Sequence, residues 1–152
     1  MSNKQFKNQQ GIWEVYTETT IDAPPAKVWQ VLTDFEKIGE WSPSLKAVRG
    51  EFADGAKVDC DYFWNGRLNK IAHTLIVEEG VLFGWSDRFL PMAKDNHIFK
   101  LAPIDDGKRT KFMQTDEITG FVGRLIGKSF TRQMLESYAD FNQKLKERVE
   151  SG

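Results

Sequence analysis

The 152-residue chain is poor in the residues on which most catalytic and metal chemistry depends. A single cysteine, Cys60, excludes an intrachain disulfide and any paired-cysteine motif, and suits a reducing compartment. With only two histidines, His73 and His97, a zinc site would have to lean on carboxylates, so no metal is expected. There is no Walker loop, no dinucleotide-binding glycine pattern and no His-Glu-x-x-His, and nothing places a Ser–His–acid triad, so no cofactor is expected either. No apolar run approaches the roughly 20 residues that span a bilayer. The first ten residues are a polar leader without the apolar core of a signal peptide. The formal net charge is -1, with cations and anions interleaved rather than gathered into the basic stripe that nucleic acids attract. These absences describe one cytoplasmic domain over residues 1–152, ordered from about residue 12 to 149, with no nucleic-acid partner and no membrane span. They select no oligomeric state.

Aromatic side chains, in contrast, are plentiful: eleven Phe, five Trp and three Tyr make up 12% of the chain. Large rings fill cores, and they also line pockets for flat apolar ligands. The arrangement of elements bears on which. Strand-like alternation runs through Ile12–Ile21, Leu45–Phe52, Lys57–Trp64, Arg67–Glu78, Val81–Arg88, Asp95–Ala102 and Arg109–Thr119. Asn65-Gly66 is a two-residue hairpin signal, because both residues tolerate positive φ, and Asp105-Asp106-Gly107 marks a further turn. Such short connections require antiparallel pairing. Pro24 and Pro25 open a short helix to Asp34, and Lys37–Trp41 is a second, stopped by Pro43.

From Phe121 to about Val149, Val122, Ile126, Phe130, Met134, Tyr138, Phe141, Leu145 and Val149 recur at threes and fours as one apolar helical stripe. One helix cannot fill a broad curved sheet, so a space between the two is expected. Gly123 and Gly127 near the start of this helix read as close backbone packing, or as room for a ligand.

The stretch from Ile21-Asp22-Ala23-Pro24-Pro25 through Val28-Trp29-Gln30-Val31-Leu32 to Asp34-Phe35, closed by Glu40-Trp41-Ser42-Pro43, resembles the opening of the START-like (SRPBCC) superfamily. That group includes polyketide cyclase/dehydrase proteins, lipid-transfer domains and plant pathogenesis-related allergens. Asp106-Gly107-Lys108-Arg109-Thr110, Glu117-Ile118-Thr119-Gly120 and the long last helix resemble it as well. The resemblance implies an α+β helix-grip fold: a seven-stranded curved antiparallel sheet wrapped around the C-terminal helix, with two short helices after the first strand. It also implies a hydrophobic pocket between them, for lipids, hormones, sterols or polyketides. No catalytic motif is shared by the whole group.

Strand alternation nominates pocket walls. Tyr62 and Trp64 share an inward face with Val58 and Cys60, leaving Asp59 and Asp61 to solvent. Trp85 is taken as a wall residue, with Arg88 at the mouth to meet an acidic ligand. His97 and Phe99 point inward together, and Phe112, Gln114 and Asp116 share a face that is apolar at its ends. The helix contributes Phe130, Met134 and Tyr138, and Met92 belongs to an apolar loop, Phe89–Lys94, that could cap the cavity. His97 and Asp116 are the acid/base candidates, although a hydrogen-bonded core residue is the commoner reading of such a histidine and a buried Asp116 would need partners of its own. The leading expectation is a binding or carrier protein for a small hydrophobic ligand. The alternative is a cyclase or dehydratase using the same cavity, and a third is an interaction module using the outer sheet face or the Phe89–Met92 loop.

Overall fold

The computed structural model describes residues 2–90 and 92–152, so Met1 of the expected leader and Pro91 of the expected loop lie outside the described residues. Strands β1 (Lys4–Lys7) and β2 (Trp13–Ile21) precede helices α1 (Pro25–Thr33) and α2 (Ile38–Trp41). Then follow β3 (Leu45–Arg49), β4 (Lys57–Trp64), β5 (Arg67–Glu78), β6 (Leu82–Trp85), β7 (Arg88–Leu90), β8 (Ala93–Lys94), β9 (His97–Ile104), β10 (Arg109–Ile118) and the long helix α3 (Phe121–Ser151). Eight strands form one antiparallel sheet in the order β1-β2-β10-β9-β6-β5-β4-β3, and β7 and β8 pair as a separate small ribbon. This is the expected helix-grip architecture, with α3 laid along the inner face of β2 and β10.

The sheet has one strand more than expected, because the polar leader contains β1. Its register is set by a tight turn in which Asn8 Oδ1 accepts from the backbone N–H of Gln10 and Ile12, with Gly11 at φ 78°. Backbone pairing to β2 supplies what its side chains do not. The expected Asn65-Gly66 hairpin forms with both residues at positive φ, 51° and 74°, and β4 and β5 pair in unbroken register from Trp64↔Arg67 to Lys57↔Thr74.

The aromatic residues divide between the two ends of the grip. Trp29, Phe35, Phe52 and Phe83 meet edge-to-face, with centroids 5.2–6.1 Å apart, and plug the end closed by α1 and α2. Trp41 packs on Phe141 at 5.0 Å and anchors α2 to the long helix rather than forming a cavity wall. At the other end a smaller group, Val15, Ile118 and Met134 with Trp64, Phe130 and Tyr138, forms a core cluster of its own. The helix reaches the sheet most closely through its small residues. A Cβ on Gly127 would lie 2.7 Å from the Trp13 ring, and one on Gly123 would lie 3.0 Å from Ile118. Both glycines therefore serve close packing, while Phe121 and Leu125 point outward.

Two side-chain placements differ from the alternation reading. Asp61 is buried rather than solvated, because the Arg49 guanidinium covers it at 2.5 Å. Of the expected capping loop, Met92, Ala93 and Lys94 do not line the main cavity. Lys94 and Thr119 exchange backbone hydrogen bonds at 3.1 and 2.8 Å, which ties it to the junction of β10 and α3.

Candidate functional site

Between the two aromatic groups lies a cavity of about 630 Å³, walled by β4, β5, β6, β9 and β10 and by the middle of α3. That volume is in the range of pockets that enclose a small organic ligand. Trp64 at the end of β4 stacks on Phe130 of α3 at 6.1 Å, so hairpin and helix touch across one rim. Nine of the nominated residues line this space: Tyr62, Trp64, Trp85, His97, Phe99, Gln114, Phe130, Met134 and Tyr138.

Four others do not: Asp116 is fully buried without reaching this space, and three more lie elsewhere. Phe112 is fully buried, but it lies in the core against Phe99 and Phe141 at 6.4 Å from each, with α3 directly over it. Arg88 and Met92 belong to a separate depression of about 320 Å³, shared with Ala93, Lys94, Gly120 and Phe121. The physical cause is that β6 ends at Trp85, three residues before alternation would have carried it to Arg88. The Asp95 N–H then bonds the Asp87 carbonyl at 3.0 Å and turns the chain away.

A seam of polar side chains runs through the interior and meets the cavity at His97, Gln114 and Tyr138, and each link can be traced to strand or helix spacing. Gln114 on β10 pairs with Phe99 on β9, which puts it beside His97. His97 Nε2–H donates to Gln114 Oε1 at 2.9 Å. Gln114 Nε2 donates to Asn142 Oδ1 at 2.6 Å, and Asn142 Nδ2 donates to Thr17 Oγ1 at 3.0 Å. On the other side of the imidazole, Nδ1 lies 3.4 Å from the Tyr138 hydroxyl, which donates to Asp116 Oδ2 at 2.6 Å. Asp116 Oδ1 accepts from the Asn96 N–H at 3.2 Å. Tyr138 also stacks on His97, with centroids 4.4 Å apart and planes 11° from parallel. The chain from Asp116 to Thr17 therefore stitches β10 and β9 to α3 and β2 through the interior.

Burial sets the protonation of this seam. His97 is pushed down to about 3, chiefly by desolvation, against which the Gln114 hydrogen bond works only in part. It is a neutral ring, and its 4.0 Å approach to Asp116 is not an ion pair. Asp116 is held well above the usual carboxylate range, first by burial and then by the nearby Asp95 charge. Tyr138 is raised well above the ordinary phenol value, first by burial. Asp95, on the cavity wall, is raised to about 6, again mainly by burial. Cys60 is pushed up to about 12 and is an inert buried thiol.

The His97 shift has a measurable consequence. Below pH 6.5 the unfolded chain takes up a proton at this residue that the folded chain refuses until about pH 3. Its contribution is thus lost as pH falls through that window, at up to about 1.4 kcal/mol per pH unit. Urea denaturation between pH 7 and 4 should show a shallower acid limb for His97→Gln than for the wild type. Parallel limbs would show that the ring does not stay neutral.

Several lining or linking residues were not singled out by sequence reasoning: Asp95, Arg67, Ile71, Ser137, Asn142 and Thr17. Asn142 left a signal. It follows Tyr138 by one helical turn on the buried face, and a fully buried amide there needs a partner. Among the described residues no group of His, Cys, Asp and Glu could hold a metal ion, and no helix is long and apolar enough to cross a membrane.

A curved sheet gripping one long helix over a largely apolar cavity defines a helix-grip protein with room for an internal ligand. The family described as polyketide cyclase/dehydrase and lipid transport matches residues 13–150, and the chain belongs to it. Among solved structures it is similar to the Zhui aromatase/cyclase from Streptomyces sp. R1128, at 14% identity, 91% coverage of this chain, 94% of that one and a TM-score of 0.74. It is also similar to TTHA0849 from Thermus thermophilus, at 16% identity, with 91% and 97% of the two chains covered and a TM-score of 0.72. A START superfamily protein from Mycobacterium smegmatis matches at 18% identity, with 91% and 97% covered and a TM-score of 0.65. No curated protein matches the chain in sequence.

Proposed function

We propose that the protein binds and carries a small hydrophobic ligand, an aromatic or polyketide-like compound or a lipid, in the cavity between sheet and helix. The observation that supports this most directly is the cavity itself: about 630 Å³, walled by Tyr62, Trp64, Trp85, Phe99, Phe130 and Tyr138. Apolar burial supplies the affinity, at about 25 cal/mol per Å² of surface removed from water. The uncharged His97–Gln114–Asn142 seam fixes the shape of the wall against which the ligand packs. Because its members already satisfy one another, it holds its shape when the cavity is empty.

The test is a fluorescence titration with N-phenyl-1-naphthylamine, comparing wild type with Ser137→Trp, which adds a large ring to the cavity wall. Wild type is expected to bind at micromolar concentration, and Ser137→Trp to bind at least about tenfold more weakly. Absence of binding to wild type, or equal binding to both, would overturn the reading.

One observation favours a second reading, a cyclase or dehydratase. Asp95, on the cavity wall and raised to about 6, is poised to exchange a proton near neutral pH. On that reading the wild type would close a poly-β-ketone substrate by an intramolecular aldol addition, in which Asp95 takes the α-proton, and the alcohol so formed would lose water; Asp95→Asn would leave the substrate unchanged. His97 would then act as a neutral hydrogen-bonding group rather than as an acid.

A further inference from the structure

Among the described residues, the buried side-chain nitrogen or oxygen that lacks any hydrogen-bond partner is Nε2 of His73. The ring is held firmly. Its Nδ1 meets Asp87 Oδ2 at 3.0 Å, and the same oxygen accepts the Thr74 N–H at 3.2 Å, which fixes the carboxylate. The imidazole also stacks on Trp85, with centroids 4.5 Å apart and planes 15° from parallel. Trp85 in turn meets His97 edge-on at 5.4 Å, so one indole separates the two histidines. His73 belongs to the cavity wall and is 4% exposed. Burial favours its neutral form, although Asp87 opposes this. With Nδ1–H turned to a carboxylate, a neutral ring presents Nε2 as a lone pair, able to accept and unable to donate.

We propose that His73, oriented by Asp87, accepts a hydrogen bond from a ligand hydroxyl, so that the cavity prefers ring compounds carrying an O–H donor to same-shaped ligands without one. This rests on the cavity being the ligand site. Tyr62 stands nearly perpendicular to the imidazole at 6.0 Å on the same cavity wall, and because Nε2 is covered in the empty protein, a wall side chain must shift to admit the hydroxyl. In the empty protein this acceptor is already buried and unpartnered, so a ligand that brings a donor relieves that cost. One without a donor leaves it in place, and one offering only an acceptor meets a second lone pair. Discrimination therefore comes from the cost of a stranded polar group rather than from contact area. His97 does not duplicate this role, because its lone pair, on Nδ1, faces the Tyr138 hydroxyl at 3.4 Å while its Nε2–H is given to Gln114.

The experiment is a pair of titrations, by calorimetry, with 2-naphthol and with 2-methoxynaphthalene, which differ in the donor. Wild type is expected to bind the naphthol about tenfold more tightly. His73→Phe keeps a ring on Trp85 and removes the acceptor; it should bind both probes equally. A preference that survives in His73→Phe, or equal affinity of wild type for both, would overturn the role of His73 while leaving the cavity reading intact. Failure of wild type to bind either probe would overturn both. A second measurement needs no variant: in protein labelled with ¹⁵N at histidine, the His73 Nε2 resonance should move on adding naphthol and stay in place on adding the methyl ether. No movement with bound naphthol would sink the proposal.

Discussion

Replacing Gly84 by alanine is expected to cost about 3 kcal/mol of stability, the upper end of what overpacking a well-filled interior does. Gly84 lies in β6 opposite Ile98 of β9. A Cβ there would sit 2.1 Å from the His97 carbonyl oxygen and 2.9 Å from the Ile98 Cα. Both are backbone atoms, so no rotamer change relieves the clash and the strands must part. Those strands carry Phe83, Trp85, His97 and Phe99, so the cavity wall would be lost with the pairing. Urea denaturation followed by tryptophan fluorescence measures the loss, and the same sample should bind apolar probes poorly. A change below about 1 kcal/mol would mean that β6 and β9 tolerate separation.

Gln114→Leu should be more damaging still, at about 4 kcal/mol, although leucine nearly matches glutamine in volume. The substitution removes the acceptor for His97 Nε2–H and the donor to Asn142 Oδ1 in one step. Each stranded group in the dry interior costs about 1–3 kcal/mol. A Gln114→Glu variant separates polarity from packing. Its carboxylate still accepts from His97 but cannot donate to Asn142, and its charge favours the imidazolium. The His97 titration, read by NMR, should therefore move upward from about 3 in that variant. If Gln114→Leu were as stable as wild type, the seam would be ornamental and its role in holding the cavity wall would fall.

Much of the architecture was legible because it is local. Asn65-Gly66 and Asp105-Asp106-Gly107 fall at turns with positive φ, and the three-and-four spacing after Phe121 became one helix. Alternation placed Tyr62, Trp64, His97 and Gln114 on the concave face, where together with Trp85 they line the cavity. It could not say how far along a strand the cavity extends. Phe112 and Gln114 share a face, yet Phe141 covers the first while the second faces the open space. Arg88 was misplaced because continued alternation conceals the end of a strand. The segment Lys4–Lys7 escaped notice because an edge strand needs only backbone pairing and shows no apolar face. His73 Nε2 could not be foreseen at all, since a missing partner becomes visible only when every neighbour is in place.

That first strand bears on how the molecule behaves in company. It forms one margin of the eight-stranded sheet, and without it the free N–H and C=O row of β2 would lie open as a template for another chain. The margin instead ends in two lysines, Lys4 and Lys7, whose ammonium groups lie over the Phe6, Tyr16 and Trp13 rings. A second sheet approaching edge-on along this margin would have to strip water from those cations, a cost that disfavours edge-to-edge pairing there.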